Sequence, residues 1–200
     1  MSELTAVVFD LDGVIRHFDP ARLVEIETRY GLEPGALWST AFAPELVTQL
    51  VTGAITRYEW GLRVGQAVGN LAAAAEWHAD DGTVDPEVLT LVDELRAEDL
   101  TVAILTNGTD TIPAELDRLG ITDRFDRIFN TAQIGVAKPD QAIFAHVCAE
   151  LATEPSTVFF TDDSQGHVDG AASAGLVAAH FVDAATTRRQ LTDLGVAIGR

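Results

Sequence analysis

Two hundred residues at 47% hydrophobic content are enough for one folded domain, or a domain carrying a sizeable insertion. A formal net charge of -18 argues against nucleic acid or an anionic membrane as partner, since both need a basic surface. No apolar run reaches membrane-spanning length, the first residues lack a signal-peptide pattern, and the single cysteine, Cys148, excludes an internal disulfide, so a soluble cytoplasmic protein is expected.

Val7 to Phe9 read as the end of a buried strand, after which Asp10 and Asp12 stand two positions apart before Gly13 releases the chain. Strand side chains repeat every two residues, so both carboxylates are expected on one side. After Ile15 the strand character stops, and the segment from about Asp19 to Gly82 reads as helices broken by Gly and Pro. Asp19-Pro20 starts one helix carrying Leu23, Ile26 and Tyr30, and Pro44 opens a second through Leu46, Leu50 and Val51. A third runs from about Thr56 through Tyr58 and Leu62, and a short one follows Asn70. Trp38, Trp60, Trp77, Tyr30 and Tyr58 all fall within this segment. A small bundle needs bulky core residues; the sharper expectation is that one or two of them line a binding pocket.

From Asp85 onward helix and strand alternate. Pro86 to Ala97 is an amphipathic helix, Thr101 to Leu105 a strand, Asp110 to Leu119 a helix ended by Gly120, and Arg127 to Phe129 a short strand. Pro139 to Leu151 is a helix, Thr157 to Phe160 a strand, Gln165 to Ala174 a helix, Val177 to Phe181 a strand, and about Asp183 to Leu194 the last helix. Five apolar strands separated by helices predict an α/β fold, a parallel sheet covered on both faces.

Open parallel sheets bind ligands beyond the carboxyl ends of their strands. Asp10-Leu11-Asp12, Thr106-Asn107-Gly108-Thr109 and Thr161-Asp162-Asp163-Ser164 all stand at such ends, and Lys138 precedes the helix after the third strand. Asp10, Asp12, Asp162 and Asp163 would repel one another at one sheet edge. A hard divalent cation relieves this, and a carboxylate set with room for phosphate suits magnesium better than zinc. Lys138 is the only lysine in a chain with 13 basic residues, which favours a specific ammonium role over a generic charge. The hydroxyl and amides of Thr106-Asn107-Gly108, lying before a helix, complete a cradle for a phosphoryl group. An EF-hand calcium loop is excluded because it needs Gly at Ile15 and Glu at Ala21. The five histidines, among them His17, His78 and His167, show no ligand-like spacing and read as surface or structural.

Taken in order, Asp10-Leu11-Asp12-Gly13-Val14, Leu105-Thr106-Asn107-Gly108, Lys138-Pro139 and Phe160-Thr161-Asp162-Asp163-Ser164 resemble the four motifs of the haloacid dehalogenase (HAD) superfamily. The resemblance implies a Rossmann-like three-layer sandwich with a five-stranded sheet in order 5-4-1-2-3, residues 1–16 and 83–200 forming the core and 17–82 a small helical cap. It makes Asp10 nucleophile and magnesium ligand, and Asp12 the general acid that also offers its backbone carbonyl to the metal. Thr106, Asn107 and Lys138 would hold phosphate, with Asp163 a direct metal ligand and Asp162 an adjacent or water-mediated one. Some members carry a second acid where this chain has His167 and Val168. The implied activity is a magnesium-dependent phosphatase acting on sugar phosphates or similar small metabolites through an aspartyl phosphate. The alternatives are a phosphomutase of the beta-phosphoglucomutase kind and a non-catalytic phospho-ligand binding protein; monomer and homodimer stay open.

Overall fold

The computed structural model describes residues 3–199. The chain begins with β1 (Ala6–Phe9) and β2 (Arg16–His17), continues through α1 (Pro20–Tyr30), α2 (Ala36–Ala41), α3 (Pro44–Val51), α4 (Arg57–Ala67) and α5 (Leu71–His78), and returns through β3 (Thr83–Val84). It then alternates: α6 (Pro86–Ala97), β4 (Thr101–Thr106), α7 (Ile112–Leu119), β5 (Arg127–Asn130), α8 (Thr131–Ile134), α9 (Gln141–Glu150), β6 (Val158–Asp162), α10 (Gln165–Ser173), β7 (Val177–His180) and α11 (Ala184–Asp193). Among the described residues no helix is long and apolar enough to cross a membrane.

Five strands form one parallel sheet in the order β5-β4-β1-β6-β7. Counting only the strands of this sheet and reading from the other edge, that is 5-4-1-2-3. Period-two alternation divides the strands between two cores. Val7, Phe9, Val102, Ile104 and Phe159 pack on one face under α6, α7 and α11; Val8, Ala103, Leu105, Val158 and Phe160 pack on the other under α9 and α10. Each large apolar side chain buried this way contributes about 1.5–3 kcal/mol. Both faces being covered explains why the strands read as unbroken apolar runs.

The helices between β2 and β3 have their own core, which includes Ile26, Leu37, Leu50, Ile55, Trp60 and Val64. Their starts are capped as the sequence suggests: Asp19 accepts from the Ala21 N–H, Thr56 and Glu59 form a capping box, and Asn70 accepts from the Ala73 N–H. A Cβ on Gly65 would come within 2.9 Å of Leu71, so its absence lets α4 and α5 pack closely.

Three features differ from the sequence expectation. Strand character does not end at Ile15, because Arg16–His17 pairs antiparallel with Thr83–Val84 and makes a stem where the chain leaves and rejoins the sheet domain. Two-residue strands are too short to show periodicity. Helix α2, six residues that the sequence reading did not include, has no side-chain cap of its own; instead the buried Glu27 carboxylate accepts from the Gly35 and Leu37 N–H groups at 2.7 and 2.9 Å. The helices expected from Asp110 and Pro139 start at Ile112 and Gln141, and α8 adds a single turn after β5.

Candidate active site

Because β4 and β6 flank β1, the carboxyl ends of the three strands lie side by side. Asp10 follows β1 directly, and its N–H donates to the Thr161 carbonyl of β6 at 2.9 Å. Thr106 ends β4 and Asp162 ends β6. Parallel pairing therefore gathers residues that are about 150 positions apart in sequence.

Lys138 reaches this edge from the loop before α9 and is 4% exposed. Its Nζ donates to Asp10 Oδ1 at 2.7 Å, Asp162 Oδ2 at 2.6 Å and the Leu105 carbonyl at 2.9 Å. An ammonium has three protons to donate, and all three are engaged. The Asn107 side chain fixes this approach: its Oδ1 accepts from the Lys138 N–H at 2.9 Å and its Nδ2 donates to the Lys138 carbonyl at 3.0 Å. Asn107 was expected to hold phosphoryl oxygens; with its side chain committed to Lys138, the group it has left to offer is its backbone N–H. Sequence spacing could not reveal a pairing across 31 residues.

Burial is the main influence on these groups. It pushes the Asp10 carboxyl up to about 7, opposed by Lys138 and reinforced by Asp162. It presses the Lys138 ammonium down, but Asp10 and Asp162 outweigh it and hold Lys138 above its usual range. Asp162 is fully buried, yet its hydrogen bond from His167 and the charge of Lys138 prevail and keep it low. Asp163 is raised, first by burial and then by Asp162. One carboxylate oxygen from each of Asp10, Asp162 and Asp163 lies within 4.8 Å of the others. Carboxylates this close, two of them with raised pKa, are a donor set that a hard cation satisfies.

Asp162 is the more fully engaged of the adjacent pair: besides Lys138, it accepts from the Ser164 N–H at 2.8 Å, and His167 Nδ1 lies 3.0 Å from its Oδ1. Asp163 is exposed to the cavity. A Cβ on Gly13 would stand 2.2 Å from Asp163 Oδ2, and Gly13 also has φ +93°. Only glycine permits both this backbone and this approach. His167, read from the sequence as surface or structural, stands in the first turn of α10, lines the cavity and meets Asp162.

Asp12 lines the same cavity, but both of its carboxylate oxygens are held by Arg16, at 2.5 Å from Nε and 3.1 Å from Nη2. Arg16, buried to 2% exposure, also donates through Nη1 to Glu115 at 2.6 Å. The other oxygen of Glu115 accepts from Arg57 of α4 at 2.6 Å. Glu115 and Arg57 are 58 positions apart and carry no local sign of pairing.

Between the sheet edge and the helical segment lies a cavity of about 730 Å³. Asp10, Thr106, Lys138 and Asp163 line it from the core, and all three tryptophans, with Phe42 and Phe18, line it from the other side. The pocket-lining role expected for one or two aromatics thus extends to every tryptophan.

A family model described as haloacid dehalogenase-like hydrolase matches residues 4–175. The chain is 29% identical over 212 residues to the phosphatase MT3486 of Mycobacterium tuberculosis, covering 96% of this chain and 95% of that one. It is 27% identical over 198 residues to the sesquiterpene phosphatase astK of Aspergillus oryzae, covering 94% and 95%. A HAD family enzyme from Bacteroides thetaiotaomicron, solved in complex with magnesium and inorganic phosphate, superposes with a TM-score of 0.75 at 21% identity, over 88% of this chain and 93% of that one.

Proposed function

The chain belongs to the haloacid dehalogenase-like hydrolase family, and from that premise we propose that it is a magnesium-dependent phosphatase of small phosphomonoesters that works through an aspartyl phosphate on Asp10. The observation that carries this is the Asp10 carboxylate held at 2.7 Å by the buried Lys138 ammonium, beside Asp162 and Asp163. Full-length relatives that are phosphatases, and a similar fold holding magnesium with phosphate, support it.

The Asp10 and Asp163 carboxylates, with the Asp12 backbone carbonyl, would hold magnesium directly, and Asp162 would do so through water. Bound there, the ion would neutralise charge on the phosphoryl oxygens and keep Asp10 ionised. Asp10 attacks phosphorus as the bond to the leaving oxygen breaks, and Asp12 gives that oxygen its proton. Water then attacks the phosphorus of the Asp10 acyl phosphate, Asp12 takes the water's proton, and phosphate and free Asp10 result. For either transfer Asp12 must turn out of its fork with Arg16. Thr106, the Asn107 N–H and Lys138 hold the phosphoryl oxygens and stabilise the charge that builds on them. Residues 17–82 act as the cap that closes over the core formed by 1–16 and 83–200; residues 1, 2 and 200 lie outside the described residues.

The test is phosphate release from an aryl phosphate with and without magnesium. Metal-dependent release that disappears in Asp10→Asn is expected. No release at any magnesium concentration would reject the phosphatase, and undiminished release by Asp10→Asn would reject the nucleophile.

A further inference from the structure

The cavity has two walls of different chemistry. On the side of the helical segment stand Phe18, Trp38, Phe42, Leu50, Trp60 and Trp77. Phe18, Trp38 and Phe42 keep 43%, 55% and 41% of their surface exposed, although residues of this kind are normally covered. Trp38 and Phe42 belong to one nest of rings: Phe42 lies 4.1 Å from Trp38, 6.2 Å from Trp60 and 6.4 Å from Trp77, centroid to centroid. Clustered exposed apolar side chains beside a reactive centre mark a binding surface.

The polar groups on that side have little to offer a ligand. Trp60 Nε1 donates to the Ala41 carbonyl at 3.0 Å, and Thr48 Oγ1 to the Pro44 carbonyl at 2.7 Å. Arg57 is held by Glu115 and by the His78 carbonyl. Asp80 accepts from the Gly82 N–H and pairs with Arg22. His78 stacks on Trp60 with centroids 4.4 Å apart and planes 10° from parallel, and its Nε2 is buried. A sugar seated here would lose water from several hydroxyls and regain few hydrogen bonds, each unpaired one weakening binding about tenfold or more. A hydrophobic body would gain by every contact with the rings.

We propose that the leaving group is hydrophobic: the substrate is a phosphate monoester of an apolar alcohol, its ring or chain lying on the Trp38–Phe42–Trp77 wall while its phosphoryl group meets Asp10. This rests on the phosphatase reading and replaces the sugar phosphates that the family resemblance implied. The wall selects the substrate by apolar contact, and the sheet edge performs the reaction.

The experiment compares four primary alkyl phosphates with leaving groups of similar reactivity: 2-naphthylmethyl and geranyl phosphate against glucose 6-phosphate and glycerol 3-phosphate, all with magnesium. We expect kcat/KM at least 100-fold higher for the hydrophobic pair. Trp38→Ser and Phe42→Ser should lower that advantage about tenfold each, mainly through KM. Calorimetric binding of geranylphosphonate, which cannot be hydrolysed, separates the two readings. Equal or better turnover of the sugar phosphate overturns the hydrophobic leaving group and leaves the phosphatase standing. Phosphonate binding that Phe42→Ser abolishes, without turnover of any ester, supports the apolar site and rejects the phosphatase. Absence of phosphonate binding overturns the inference.

Discussion

Lys138 and Phe42 line the same cavity, yet one is 4% exposed and the other 41%. Around Lys138 every donor has an acceptor at 2.6–2.9 Å and the acceptors belong to three different strand ends. Around Phe42 the neighbours are rings at 4.1–6.4 Å that impose no direction. Under the proposed function the two walls divide the work accordingly. A reacting oxygen must be placed to within a fraction of an ångström, which needs directional, saturated contacts. A leaving group has only to be preferred, and apolar contact can grade that preference without fixing a pose. Substitutions on the charged edge should therefore cost much in rate, and in stability where they leave a buried charge unpaired, and those on the apolar wall little of either beyond affinity.

The sharpest break of this contrast is Asp10→Asn. It should lower phosphate release by about 10⁴-fold or more while circular dichroism and the unfolding midpoint stay close to wild type; activity within tenfold of wild type would remove Asp10 from the chemistry. Next comes Lys138→Met, which strips the cation from between two buried carboxylates. It should cost roughly 3–5 kcal/mol in urea unfolding and about 10²–10³-fold in turnover. Lys138→Arg should recover little of that turnover, since a planar guanidinium does not fit three acceptors arranged around a point charge. If Lys138→Met unfolds like wild type, the edge is not under electrostatic tension.

Glu115→Gln tests whether the charged network holds the helical segment to the core. Leaving Arg16 and Arg57 without their shared carboxylate should lower stability by about 3 kcal/mol, measured by the same urea titration; a change below 0.5 kcal/mol, the scale of an ordinary surface substitution, would mean that the apolar contacts hold the segment by themselves. The smallest effect concerns His78, behind the aromatic wall. Burial, then the charge of Arg57, holds its imidazole down at about 4 against 6.5. Between those values the unfolded chain takes up a proton that the folded one refuses, so the stability tied to His78 is complete above pH 6.5 and falls as pH drops towards 4. After allowance for solvent at the partly open ring, the loss is roughly 1–2 kcal/mol. Urea midpoints at pH 7.5 and pH 5 should differ more for wild type than for His78→Phe; equal differences would show that the imidazole ionises freely in the fold.

What the sequence disclosed follows the same division. Asp10, Lys138, Asp162 and Asp163 could be placed together because strand periodicity finds the strand ends and parallel topology brings those ends to one edge. Glu27 capping α2, Asn107 bracing Lys138 and Glu115 bridging two arginines are contacts between elements, and neither partner changes its local pattern in a way that marks the other. The aromatic richness of the helical segment was visible, but a tryptophan reads alike in a core and on a cavity wall. Trp60 serves as both, being 6% exposed in the segment's core and also lining the cavity.

Asp12, Arg16, Glu115 and Arg57 stand in a row of alternating charge, each inner member shared between two neighbours. One end is the residue proposed to move a proton; the other belongs to the helical segment. In such a row no charge can be altered in isolation, because deleting one frees its neighbour to pair more closely with the next. Effects at Arg57 and at Asp12 should therefore fail to add in a double-mutant cycle, although the two residues share no direct bond. The proposed proton donor and the segment that carries the aromatic wall are thus joined through a single buried carboxylate.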